Sequence, residues 1–185
     1  MSRPVRPPRG TAAEPTSHDR LAWGDYEGRY LIGMALLLVG AALISQTTVA
    51  TVGLGVLGSG MHLAGWAVQP GRPGARAAVA GPSVLLCWST ITGPKTMWLL
   101  AGVLACWLLV RRRPAATYWT LALPLGVGVL VASLYSHVAD KTVAFWSVVA
   151  AVVVGAWLAR ELALHVRSPH TNPIADGGHG RGDTP

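Results

Sequence analysis

The chain has 185 residues, a length that suits one soluble domain, but 51% of them are apolar and only 12% charged, against roughly 25% charged in a typical soluble domain. Net charge is +7, from thirteen Arg and two Lys against eight acids, and the charge is confined to the two tails and a few short clusters. Long uncharged runs between those clusters exclude an ordinary soluble domain and predict an all-α, polytopic integral membrane protein. The Arg residues stand beside apolar runs, so they read as orienting the chain in a bilayer and meeting anionic headgroups, not as a nucleic-acid surface.

Residues 1–29 are rich in Pro and Arg and poor in apolar mass, which predicts a disordered cytoplasmic tail. No early apolar core of a cleavable signal peptide is found there, so insertion is expected to rely on the first membrane helix. Trp23, Tyr26 and Tyr30 then lead into the bilayer as interfacial aromatics. The run 31–69 contains no Lys, Arg, Asp or Glu. It is about twice what one crossing of a ~30 Å hydrocarbon core needs. Broken at the polar patch SQTTVAT (45–51), it predicts helices over 30–47 and 51–69. QPGRPGAR (69–76) closes the pair with turn residues and two Arg.

The stretch 77–110, divided at Gly93, Pro94 and Lys95, predicts helices over 77–93 and 96–110. Either both cross, with Thr90, Thr92 and Thr96 at the interface, or the pair dips in and returns; crossing is the preferred reading. RRRP (111–114) marks the cytoplasmic side. Tyr118 and Trp119 open a helix over 117–136, with Pro124 as its expected kink. HVAD (137–140) breaks the run and a sixth helix follows over 142–165, so the membrane domain spans 30–166. Residues 167–185 have turn composition and predict a second disordered cytoplasmic tail.

Six crossings place the N-terminus, the loops 70–76 and 111–116 and the C-terminus on one side, with all thirteen Arg. The turns 45–51, 93–96 and 137–141 fall on the other side, with only Lys95 and Lys141. That bias predicts both termini in the cytoplasm and a multi-pass protein of the cell (inner or plasma) membrane. The helices form three hairpins with recurring features. Ser45, Ser89 and Ser136 stand near the end of each first helix, Trp66, Trp107 and Trp157 near the end of each second one, and PKTMW (94–98) is like DKTVAFW (140–146). An internal repeat is therefore expected.

The segment LIGMALLLVGAALISQTTVATVGLGVLGSGMHLAGWAV (31–68) resembles the repeat of the HdeD-like membrane proteins, two Gly-rich apolar helices joined by a short turn. The resemblance implies six helices in three hairpins, a small inner-membrane protein and a link to stress or acid response. It brings no catalytic residues with it. The Pro-rich N-terminal tail and the RRRP loop depart from that pattern.

Small residues at four-residue spacing, Ser147, Ala151, Gly155, Ala159 and Ala163 in one helix and Gly128, Ala132 and Ser136 in another, predict helix-packing seams. The glycines of GLGVLGSGMHLAG (53–65) lack the strand and acidic partner of a dinucleotide loop. Ser59 and His137 differ in depth by roughly 12 Å, too far for a serine nucleophile and its base. His62 is the one His well inside an apolar run. An ionisable group there is a candidate pH-sensing or proton-handling residue. The alternative is a neutral imidazole bonded to a Ser, Thr or backbone carbonyl across a helix seam. No embedded Asp, Glu, Lys or Arg accompanies it, which argues against a pump or coupled transporter.

His137, Asp140 and Lys141 fall in the last outer turn, where Asp140 suits a helix cap and the other two can reach water. Arg72, Arg76, Arg111, Arg112 and Arg113 are candidate lipid-headgroup contacts. Cys87 and Cys106 have no CxxC or Cys/His spacing and read as small buried residues. With no converging acid, base or nucleophile, the expectation is a non-enzymatic membrane protein with no cofactor and no metal. Its expected partners are membrane lipids and either further copies of itself or another membrane subunit. The alternatives are an oligomeric small transporter or channel subunit and an accessory subunit of a larger membrane complex.

Overall fold

The charge-free run from 31 to 69 folds as two antiparallel helices, α1 (Tyr26–Ser45) and α2 (Val52–Val68), in a computed structural model that describes residues 26–135 and 137–167. The predicted tails outside those bounds, and Ser136, lie outside the described residues. Four further helices follow: α3 (Pro73–Ser89), α4 (Ala101–Val110), α5 (Ala122–Leu134) and α6 (Lys141–Arg167). The described residues contain no strand. Short 3₁₀ runs bridge the turns, and two longer ones, Pro94–Leu100 and Ala115–Leu121, lead into α4 and α5. Among the described residues, four helical segments are long and apolar enough to cross a membrane: Tyr26–Ser45, Val49–Val68, Ala115–Leu134 and Lys141–His165. Pro94–Val110 is a shorter apolar helix.

Two helices start earlier than charge alone suggested. α1 opens at Tyr26, with Glu27 in its first turn where the helix dipole favours an acid. α3 opens at Pro73, a proline preset for the first helical position, just after Gly71 at φ 151°. Pro124 falls in the first turn of α5, directly after a 3₁₀ run. Its missing N–H thus coincides with a change of helix type. The proline inside an α-helix is Pro82 of α3, which sits on the exposed face.

α1 and α2 form the tightest pair, and glycine is the reason. A Cβ on Gly40 would stand 2.6 Å from the Gly58 carbonyl and 2.6 Å from the His62 amide N. One on Gly58 would stand 2.7 Å from the Gly40 carbonyl, and one on Gly65 2.9 Å from the Leu37 amide N. The two backbones touch, which suits helices that have no hydrophobic drive to associate in lipid. Seven-residue spacing, from Gly33 to Gly40 and from Gly58 to Gly65, returns the glycines to one face every two turns.

Of the α6 stripe, Ala151, Gly155, Ala159 and Ala163 are buried. Ser147 stands off that face. It is half-buried, with its hydroxyl donating to the Val143 carbonyl at 2.9 Å, and Ala144 and Val148 face inward at that level. A strict four-residue step overshoots one turn by about 40°, so such a stripe drifts off the packed face. On α5, Gly128 lies against the backbone of the 94–100 run, where a Cβ would come 2.5 Å from Trp98 Cα. Ala132 is half-buried beyond it.

The described arginines before α6 gather at one end of the bundle. Arg29 Nε donates to the Val68 carbonyl at 3.1 Å, Arg76 donates to the Ala67 and Gln69 carbonyls, and Arg111 donates to the Tyr26 hydroxyl. At the other end Gln46 donates to Thr142 Oγ1 at 3.4 Å, joining the first and third turns. His137 is exposed there, as expected. Lys141 is not: it is only 8% exposed, because α6 begins at this residue and draws it into the packed helix end. The PKTMW and DKTVAFW segments also diverge, the first forming a 3₁₀ run and the second entering an α-helix at Lys141.

Two apolar cores stack along the bundle, one around Leu37, Trp66, Leu104 and Leu108, the other around Ile44, Met97, Phe145 and Val148. Outward faces stay apolar, with Leu31, Leu85, Trp119 and Leu130 exposed, as a lipid-facing surface requires. Gly40→Ala and Gly58→Ala are each expected to lower stability by about 1–3 kcal/mol, while Gly60→Ala, with open space at its Cβ, stays within about 0.5 kcal/mol. Gly128→Ala should cost more than Gly155→Ala, since the former meets backbone and the latter meets the movable end of Leu104. Thermal unfolding in detergent, followed by circular dichroism, checks all five.

A lateral groove and its buried histidine

His62 is fully buried on α2, facing both neighbours of that helix. Its Nδ1 lies 3.1 Å from the Leu37 carbonyl of α1 and its Nε2 lies 3.1 Å from Ser83 Oγ of α3. A carbonyl only accepts, so the proton belongs on Nδ1. Trp66 Nε1 donates to the same Ser83 Oγ at 2.6 Å. The Ser83 hydroxyl proton then has two acceptors within reach, His62 Nε2 and the Ala80 carbonyl at 3.0 Å. Pointed at Nε2, it satisfies a neutral imidazole completely. This is the seam-bonded arrangement that the sequence offered as the alternative to a proton-handling role. Trp66 entered there only as one of three recurring helix-end tryptophans, and Ser83, not singled out, gave little signal beyond being a polar residue next to Pro82.

Ser59 does not approach a base. Its hydroxyl donates to the Gly55 carbonyl at 2.7 Å and accepts from Trp88 Nε1 at 2.8 Å, a link between α2 and α3. Cys87 and Cys106 are buried and unbridged. Among the described residues no group of His, Cys, Asp and Glu could hold a metal ion.

In front of His62 lies a cavity of about 300 Å³. Met34, Leu37, Leu38 and Ala41 of α1 form one wall and Val149, Val152, Val153 and Ala156 of α6 the other; Leu104 and Trp107 floor it. The walls are apolar, and His62 turns its ring nitrogens to Leu37 and Ser83. Leu38 and Val153 both line the cavity and reach the outer surface, so it opens sideways between α1 and α6.

Toward the arginine end lies a second cavity of about 430 Å³, and Met34, Trp107, Val153 and Ala156 line both. Tyr26, Tyr30, Trp157 and three arginines complete it: Arg111, Arg113 and Arg160. Arg111 is buried, and its guanidinium carbon stands 5.6 Å from the Tyr26 ring centroid, 5.0 Å from Tyr30 and 5.6 Å from Trp107. Arg113 stacks on Trp107 at 5.8 Å. Arg112 between them adopts φ 47° and is exposed. That left-handed residue turns the chain so that its two neighbours meet one indole.

The five predicted headgroup arginines therefore divide. Arg111 and Arg113 line the chamber, and Arg72 and Arg112 are exposed at the same end. Arg76 is engaged with the last carbonyls of α2, a helix-terminal role. Arg160 and the aromatic cage were not anticipated, although Tyr26 and Tyr30, four apart, share one helix face.

No family model, curated protein or solved structure matches the chain. Ser83→Ala strands both His62 Nε2 and the Trp66 N–H, and is expected to cost about 1–3 kcal/mol. Combined with His62→Phe it should cost less than the two changes summed, by about 0.5 kcal/mol or more. Unfolding of the single and double variants in detergent measures that coupling; strict additivity would break the assignment.

Proposed function

We propose that the chain is a non-enzymatic, multi-pass protein of the cell membrane, with six crossings in three hairpins and both termini in the cytoplasm. In this reading the groove between α1 and α6 holds the apolar chain of a lipid-soluble molecule. The observation that carries it is the sideways-opening apolar cavity, exposed at Leu38 and Val153 to the surface that would face lipid. Polar chemistry has little place there, since the walls are apolar and His62 bonds away from the opening.

Segment lengths support six crossings. Pro94–Val110 begins as a 3₁₀ run of seven residues, and the greater 3₁₀ rise extends the segment to about 29 Å, close to the ~30 Å core. α3 with its short 3₁₀ continuation through Thr92 reaches a similar length. The distribution of thirteen Arg against two Lys supports the orientation.

A fatty-acyl probe carrying a mid-chain diazirine tests the groove in membranes containing the full chain. Crosslinks are expected at Leu38, Val152 and Val153 and should vanish in Ala156→Trp, which fills the opening. Crosslinks spread evenly over outward residues such as Leu85 and Leu130 would overturn the reading. Proteoliposomes tested at pH 5 and pH 7 should leak ions no faster than empty vesicles. Acid-triggered flux that disappears in His62→Ala would instead establish a conduction protein.

A further inference from the structure

We infer that the segment directly before α1 docks into the arginine chamber, with the Asp25 carboxylate on Arg111 and Arg113 and the Trp23 ring over the chamber mouth. The inference concerns the arginine end alone and does not depend on what the apolar groove holds. Three observations carry it. The first is charge. Among the described residues that line the chamber there are three arginines and no carboxylate. Arg160 has Glu161 beside it at 3.6 Å, and Glu27 is exposed in the first turn of α1. Arg111, only 8% exposed, is stacked on three rings, and both it and Arg113 are engaged beyond such stacks. A guanidinium held so far from water is costly unless a carboxylate compensates it.

The second observation is position. Tyr26, the first residue of α1, lines the chamber, and its hydroxyl accepts from Arg111. Residue 25 is one peptide unit away, ~3.8 Å between Cα atoms, so the chain itself delivers a carboxylate to Arg111 with no loop to close first. The acids beyond α6, Asp176 and Asp183, follow Arg167 only after a stretch of turn residues. Aspartate also suits the place before a first helical residue, because its carboxylate accepts the unbonded N–H groups of the first turn. Third is pattern. Asp19, Leu21, Trp23 and Asp25 alternate with Arg20, Ala22 and Gly24. Alternate residues of an extended chain share one face, so acids and apolar side chains would point the same way. The chamber presents the complement, arginines beside Val153, Trp157 and Leu164. Docked there, the segment closes the arginine end to water and leaves the lateral opening at Leu38 and Val153 as the way in.

The test is labelling of an Ala156→Cys variant of the full chain in lipid nanodiscs by a charged, membrane-impermeant thiol reagent. Ala156 lines both cavities, and the unsubstituted chain, whose two cysteines are buried, sets the background. Adding Trp23→Ala and Asp25→Asn is expected to speed labelling roughly fivefold or more. Asn keeps the helix cap and removes only the charge. Equal rates would overturn the docking. Faster labelling on Asp176→Asn instead would overturn the segment before α1 as the occupant. Thermal unfolding then checks the pair. Asp25→Asn should lower the midpoint by about 2–4 °C, with no further loss once Arg111→Gln is present and with its full effect beside Arg112→Gln, exposed in the same turn. Additive shifts for Asp25 and Arg111 would overturn the carboxylate assignment. No lipid probe enters these measurements, so their failure leaves the groove reading standing.

Discussion

Between α1 and α2 there is no room for a side chain at Gly40 or Gly58, and much of the bundle follows from that contact. Because the backbones touch, the Leu37 carbonyl comes within 3.1 Å of the His62 ring. The ring then reaches across to Ser83, which also takes the Trp66 N–H, so three helices are tied through the His62 ring and one serine hydroxyl. α1, drawn onto α2, meets α6 at the Gln46–Thr142 end and leaves the groove open toward the arginine end. Adding one methyl group at Gly40 would press first on the Gly58 carbonyl and the His62 backbone.

A second constraint is the scarcity of water along such helices, where an unbonded polar group is expensive. Many hydroxyls in the helices are returned to a carbonyl of their own chain three or four residues back: Ser45 to Ala42, Thr47 to Leu43, Ser59 to Gly55, Ser133 to Leu130. Such bonds satisfy the hydroxyl locally and leave the helix exterior apolar. Against that pattern the exceptions stand out. Ser83 accepts from Trp66 and donates to His62, and the Trp107 N–H finds no acceptor among the described residues. The first exception is a structural tie; the second lies where two chambers meet.

The arginine end shows how one residue type takes several tasks in a bundle of this kind. Arg76 caps carbonyls of α2, Arg29 bonds Val68, and Arg111 is stacked into a cage of aromatics. Sequence proximity does not sort these tasks. Arg112 and Arg113 are neighbours, yet one is exposed and the other lies on Trp107, because a single left-handed residue redirects the chain. Charge counting treats all of them alike, since the positive-inside bias acts on the sum.

Sequence alone determined what depends on composition along the chain. The order of six helices, the turns at 45–51 and 93–96 and the gathering of Arg beside the loops follow from long uncharged runs and turn residues, and the structure places them so. Gly128, Gly155 and Ala159 were legible as contacts because small residues mark close approach. Tertiary structure decided which faces meet. In a soluble helix the apolar face announces the core, but here every face is apolar, so hydropathy carries no signal for orientation. Hence the Gly40–Gly58 contact, the Ser83 tie, the inward turn of Lys141 and the groove with Arg160 at its mouth became visible only once the helices were packed. Each depends on the relative rotation of helices far apart in the chain, and in 22 glycines the sequence offers more small-residue faces than the bundle can use.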